Sequence, residues 1–110
     1  MSASARSGGE RAADQPSPPA DPLVRVFLIC NKKGLHARAS AKFVQTVEKF
    51  DAEVRVTRGN ETVGGTSIMG LMMLAASPGT SITVEATGNE AAEVMEALAA
   101  LIASRFGEDD

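Results

Sequence analysis

The only histidine of the 110-residue chain, His36, stands in Gly34-Leu35-His36-Ala37-Arg38-Ala39-Ser40, at the predicted start of a helix with an arginine two residues on. The first amide N–H groups of a helix lack a backbone partner, and the macrodipole places positive potential there. That potential disfavours imidazolium and favours a neutral, nucleophilic ring. The same amides and the Arg38 guanidinium suit an anion attached to the ring, most naturally a phosphoryl group. Lys32, Lys33, Arg38 and Lys42 crowd the same stretch, and no acid occurs between Asp21 and Glu48. Like charges in a run are commonly a solvated face, and a lone histidine is commonly a surface or core residue. Here the two coincide at one titratable nucleophile.

Other chemistries fit poorly. One His and one Cys without ligand spacing cannot close a zinc shell, so no metal is expected. A serine-hydrolase arrangement lacks its Gly-x-Ser-x-Gly elbow, and His36 has no acid near it in sequence to orient the ring. No Walker loop or Gly-x-Gly-x-x-Gly pattern provides for a nucleotide, and no cofactor is expected. A net charge of −3 and the absence of Trp and Tyr argue against nucleic-acid binding through the basic stretch.

The elements that must position His36 follow from punctuation and periodicity. Residues 1–22 contain four prolines and no Val, Ile, Leu or Phe, so they are read as a disordered extension ahead of one domain over 23–110. Leu23 to Cys30 reads as a strand, with Cys30 as a buried strand-end residue. Gly34-Leu35 turns the chain into a helix from about Ala37 to Phe50, with Phe43, Val47 and Phe50 on one face. Glu53 to Arg58 alternates, Gly59-Asn60 is a hairpin turn, and Glu61 to Gly65 returns as a short strand. Ser67 is a plausible N-cap for a short helix through about Ala75. After the turn at Pro78-Gly79, Ser81 to Ala86 alternates as a fourth strand. A last helix follows Gly88-Asn89, with Ala91, Val94, Leu98, Leu101 and Ile102 on one face and Arg105 late. The order β-α-β-β-α-β-α predicts an α+β, two-layer open-faced sandwich, with one mostly antiparallel sheet and all helices on one face. The other sheet face is expected to be solvated, carrying Arg25, Arg55 and Thr83. Ile68, Met69 and Met72 fall to the side of the short helix and suggest an adaptable apolar contact patch. A single cysteine, no apolar run of membrane-spanning length and no signal-peptide pattern lead to the expectation of a cytoplasmic protein without membrane insertion.

The segment Gly34-Leu35-His36-Ala37-Arg38-Ala39-Ser40-Ala41-Lys42-Phe43-Val44 resembles the active-site signature of the histidine-containing phosphocarrier (HPr) family of the bacterial phosphotransferase system. Ser67-Ile68-Met69-Gly70-Leu71-Met72-Met73-Leu74 resembles that family's second signature, about thirty residues downstream. The similarity covers roughly residues 23 to 106. It implies a four-stranded antiparallel sheet of order 1-4-2-3 under three helices. His36 would accept a phosphoryl group at Nδ1 from enzyme I, itself charged from phosphoenolpyruvate, and pass it to enzyme IIA proteins. Arg38 would stabilise the group in flight. The protein would thus be a carrier that cycles, not an enzyme, acting as a monomer in sugar uptake or in the regulatory branch. Ser67 matches the serine that an HPr serine kinase phosphorylates in many members. Ile68, Met69 and Met72 match positions that contact partners, and the basic rim, Lys33 and Lys42 included, would meet acidic partner surfaces. Two positions depart from the family pattern: Ala39 replaces the usual proline after the arginine, and Lys33 replaces a small polar residue. The alternative is a regulatory interaction module controlled through Ser67, with His36 incidental.

Overall fold

The computed structural model describes residues 22–74 and 76–108, so the extension expected to be disordered lies outside the described residues. Among the described residues four strands, β1 (Leu23–Leu28), β2 (Glu53–Arg58), β3 (Glu61–Gly64) and β4 (Ser81–Thr87), form one antiparallel sheet in the order β1-β4-β2-β3. Among the described residues there are three α-helices, α1 (Ala37–Val47), α2 (Ile68–Met73) and α3 (Ala91–Ala103), the last followed by a tight turn at Arg105–Gly107. The expected class, sheet order and helix count hold.

Alternation builds the sheet's two faces. On β4, Ile82, Val84 and Ala86 are buried toward the helices, while Ser81, Thr83, Glu85 and Thr87 point the other way. β2 contributes Val54 and Val56 to the same buried layer, in register with Ala86 and Val84. The helices close it. Phe43, Val44 and Val47 of α1, Leu71 of α2, and Val94, Met95, Leu98 and Ile102 of α3 are all buried, as helical spacing places them on single faces. A side chain of this size contributes roughly 1.5–3 kcal/mol when fully buried. This layer is therefore what offsets the entropy of holding the loops that carry the site. The β2–β3 hairpin turns at Gly59-Asn60, with Arg58 opposite Glu61 and the positive φ at Gly59. A two-residue hairpin needs that backbone geometry there.

Several expectations require correction. The first strand stops at Leu28, and Cys30 is exposed, not buried, with its thiol near the Ile102 carbonyl. Arg25 lies opposite the buried Val84, so it belongs to the helix side of the edge strand, stacked over Phe27 and 3.9 Å from Glu96 of α3. The open face of β1 instead carries Val24, Val26 and Leu28, all exposed. Both sides of this strand are largely apolar, and the position of Phe27 decides which one is covered. α1 ends at Val47, leaving Phe50 half-buried in the following turn, and α2 ends at Met73. Met95 joins the buried face of α3, while Leu101 is only partly covered. Arg105 lies beyond α3.

Candidate functional site

His36 is the N-cap of α1. It has extended backbone, with φ −78° and ψ −177°, and its carbonyl accepts the first helical hydrogen bond, from Ser40 N at 2.9 Å. Its side chain makes no capping bond. The N–H groups of Ala37, Arg38 and Ala39 therefore have no acceptor four residues back. The third of these exists because position 39 is alanine, since proline would carry no N–H.

The approach to His36 is pinned on both sides. Gly34 has φ +66°, and a Cβ there would lie 2.3 Å from the Ala76 carbonyl oxygen, so only glycine fits. That same carbonyl accepts from Leu35 N at 2.9 Å, and Leu35 is buried. Asn31, itself fully buried, donates from Nδ2 to Gly34 O at 2.8 Å. Glycine and asparagine thus fix the loop that delivers the imidazole to the helix end.

A second approach comes from the far end of the chain. After α3, Arg105, Phe106 and Gly107 have φ of 57°, 58° and 73°. Left-handed backbone at a residue with a Cβ costs roughly 1–2 kcal/mol, so this turn is held against strain. Phe106 is 1% exposed and anchors it in the core, and Lys42 of α1 donates from Nζ to the Phe106 carbonyl at 2.6 Å. The turn delivers Glu108 to His36, 72 positions away in sequence, with Oε2 against Nε2. Asn31 Nδ2 donates to the other carboxylate oxygen at 3.2 Å. Asn31 Oδ1 has no partner among the described residues.

The Glu108 side chain keeps only 10% of its exposure and His36 26%. Burial pushes the Glu108 carboxyl up, but hydrogen bonds from His36 and Asn31 and the charges of His36 and Lys33 outweigh it and hold the group below the ordinary glutamate range. Glu108 is therefore ionised at neutral pH and can only accept.

These residues line an open cleft of about 650 Å³, walled by Lys33, His36, Arg38, Lys42 and Glu108 with Ala37 and Gly107. Three cationic side chains against one carboxylate give the cleft a net positive lining. Of the basic residues picked from sequence, Lys33, Arg38 and Lys42 all line the cleft, and the Lys42 ammonium also ties α1 to the C-terminal turn. Ser67 caps α2, its Oγ accepting from Gly70 N at 2.9 Å, and is exposed. α2 packs against α1, and its outer side carries Ile68, Met69 and Met72 at 41%, 72% and 43% exposure. Met73, at 70%, extends the patch. Sequence reasoning missed Asn31 and Glu108. The one local signal was a glycine between a phenylalanine and an acid just past the last helix, a pattern that announces a helix stop and nothing about its destination.

Fold and site together define a small α+β domain that presents one histidine at an uncapped helix end above a cationic cleft, as a group carrier requires. The family model described as the PTS HPr component phosphorylation site matches residues 24–104. The phosphocarrier HPr of Neisseria meningitidis serogroup A is 56% identical over 82 residues, covering 74% of this chain and 92% of that protein. A phosphocarrier NPr of Shewanella violacea is 38% identical over 86 residues, covering 78% and 94%. The crystal structure of an HPr from Thermoanaerobacter tengcongensis superposes with a TM-score of 0.76 at 42% identity, covering 80% of this chain and 99% of that one. The chain belongs to the HPr family of phosphotransferase-system phosphocarriers, proteins that carry a phosphoryl group and are not enzymes. No helix among the described residues is long and apolar enough to cross a membrane.

Proposed function

We propose that His36 accepts a phosphoryl group at Nδ1 from enzyme I and passes it to a histidine of an enzyme IIA protein, in the cytoplasm and as a monomer. The observation that carries this reading is the orientation of the ring. Nε2 is engaged by Glu108, so Nδ1 is the nitrogen left for phosphorus, at a helix end that carries no side-chain cap and whose first N–H groups have no intrahelical acceptor. Arg38, Lys33 and the first-turn N–H groups offset the charge of the group as it moves between two imidazoles. The α2 patch, Ile68, Met69 and Met72, supplies apolar contact with partners, and Lys33 and Lys42 meet their acidic rims. Ser67 is a second modification site, addressed by an HPr serine kinase. Its hydroxyl is exposed, and a phosphate at a helix N-terminus gains from the free amides without unfolding the helix.

Incubation with enzyme I and phosphoenolpyruvate should place an acid-labile phosphate on the wild-type protein and none on His36→Ala. Arg38→Ala should slow transfer without abolishing it, since the amides remain. Losing one such donor typically costs about 3 kcal/mol of barrier. Label on the His36→Ala protein would overturn the assignment.

A further inference from the structure

The carboxylate of Glu108 faces the ring nitrogen that does not react. We propose that Glu108 is a positioning residue for phosphoryl transfer: delivered by the left-handed turn at 105–107, it holds the proton on His36 Nε2, directs Nδ1 toward the donor and neutralises the ring that transfer makes cationic. This role rests on His36 being the acceptor.

Three observations converge. The turn that carries Glu108 keeps two residues with a Cβ in left-handed backbone, and it is clamped by the buried Phe106 and by Lys42. Strain held in place by its surroundings is the mark of a segment whose position matters. Both oxygens of Glu108 are used within the site, one on His36 and one on Asn31. Asn31 in turn holds the Gly34 carbonyl, so a single buried amide aligns the carboxylate with the loop that carries the imidazole.

An ionised carboxylate cannot donate, so the proton it shares with the ring sits on Nε2, which leaves Nδ1 as the nitrogen able to present a lone pair. In the transfer step the Nδ1 lone pair forms a bond to phosphorus. The bond from phosphorus to the donor's imidazole nitrogen breaks, its electron pair remaining with the donor. Nε2 keeps its proton, so the ring becomes an imidazolium bearing the phosphoryl group, and the new positive charge faces Glu108. The onward step reverses this. The electron pair of the N–P bond returns to the ring, which leaves more readily for being protonated at Nε2. Glu108 thus favours the transferable form in both directions.

The test uses the full chain with Glu108→Gln, Glu108→Asp and Glu108→Ala. Transfer from phosphorylated enzyme I is followed by rapid quench, and the Nε2-bound proton by NMR of protein labelled with ¹⁵N in its single histidine. Glu108→Gln keeps an acceptor oxygen but not the charge, and should lower the transfer rate constant about tenfold with KM unchanged, the difference between a charge-assisted and a neutral hydrogen bond. Glu108→Asp should recover part of the rate. The slowly exchanging Nε2 proton should be present in the wild type and lost in Glu108→Ala. Wild-type rates in Glu108→Gln and Glu108→Ala would overturn the proposal, as would an unchanged Nε2 proton. The NMR measurement needs no phosphoryl donor, so it separates failure of the Glu108 contact from failure of His36 as acceptor.

Discussion

Substituting Gly34 by alanine perturbs the backbone that carries His36 without touching a reacting group. At φ +66°, an alanine pays roughly 1–2 kcal/mol for left-handed backbone, part of it returned by the stiffer unfolded chain. Its Cβ would also lie 2.3 Å from Ala76 O and 3.0 Å from Ser77 Cα, both backbone atoms that cannot rotate away. Opening that gap stretches the Leu35 N–H bond to the same carbonyl and misplaces the buried Leu35, costing about a further 2 kcal/mol. Gly59 is the internal control. It has φ +62° and no atom within 4 Å of an added Cβ, so Gly59→Ala pays the conformational term alone. Gly34→Ala should lose about 3 kcal/mol and Gly59→Ala about 1 kcal/mol, measured by urea unfolding. In thermal unfolding that corresponds to roughly 15 °C against roughly 5 °C for a domain of this size. Transfer from enzyme I should fall in Gly34→Ala and stay normal in Gly59→Ala. Equal destabilisation of the two variants would refute the reasoning, because it would mean that the close approach to Ala76 costs nothing.

Ser67→Ala should lose about 1 kcal/mol through its cap on Gly70 N and transfer normally. Ser67→Asp should keep the fold and weaken transfer from enzyme I several-fold, mainly through KM, as kinetics with varied carrier concentration would show. The Glu108 carboxyl lies below its ordinary value of 4.5 in the folded protein, so its contribution to stability is complete above that pH and is lost as pH falls through the folded pKa. The gap in unfolding free energy between wild type and Glu108→Gln should therefore close on acidification below about pH 4.5, and a gap that widened there would contradict the assignment. Met69→Asp, at a side chain 72% exposed, should leave the melting temperature within a degree or two while raising KM for enzyme I. An unchanged KM would remove α2 from the docking surface.

What could be read in the sequence is what is local. His36 with Arg38, the cap at Ser67, the hairpin at Gly59-Asn60 and the buried faces of α1 and α3 each depend on residues within a turn or two of one another. The sheet order came with the family resemblance, because alternation alone names faces and not neighbours. The covered side of Arg25 is hidden for the same reason: with Val24, Val26 and Leu28 on one side of β1 and Leu23 and Phe27 on the other, no polar alternation marks the covered face. Glu108 and Asn31 stayed hidden because their partnership spans 77 positions and hangs on a left-handed turn in which Arg105 and Phe106 carry no local signal for positive φ. Cys30 is exposed because burial keeps alternating past the strand end, with Phe27, Ile29 and Asn31 covered and Leu28 and Cys30 on the open side, an alternation that the apolar run Phe27-Leu28-Ile29-Cys30 does not announce.

In the proposed transfer, phosphorus bonds to one particular nitrogen of one particular residue. Protein labelled with ¹⁵N at its single histidine, charged by enzyme I and phosphoenolpyruvate, should show ³¹P coupling to His36 Nδ1, with the proton still on Nε2. Coupling to Nε2, or phosphorus found on Ser67 with the ring unmodified, would contradict it.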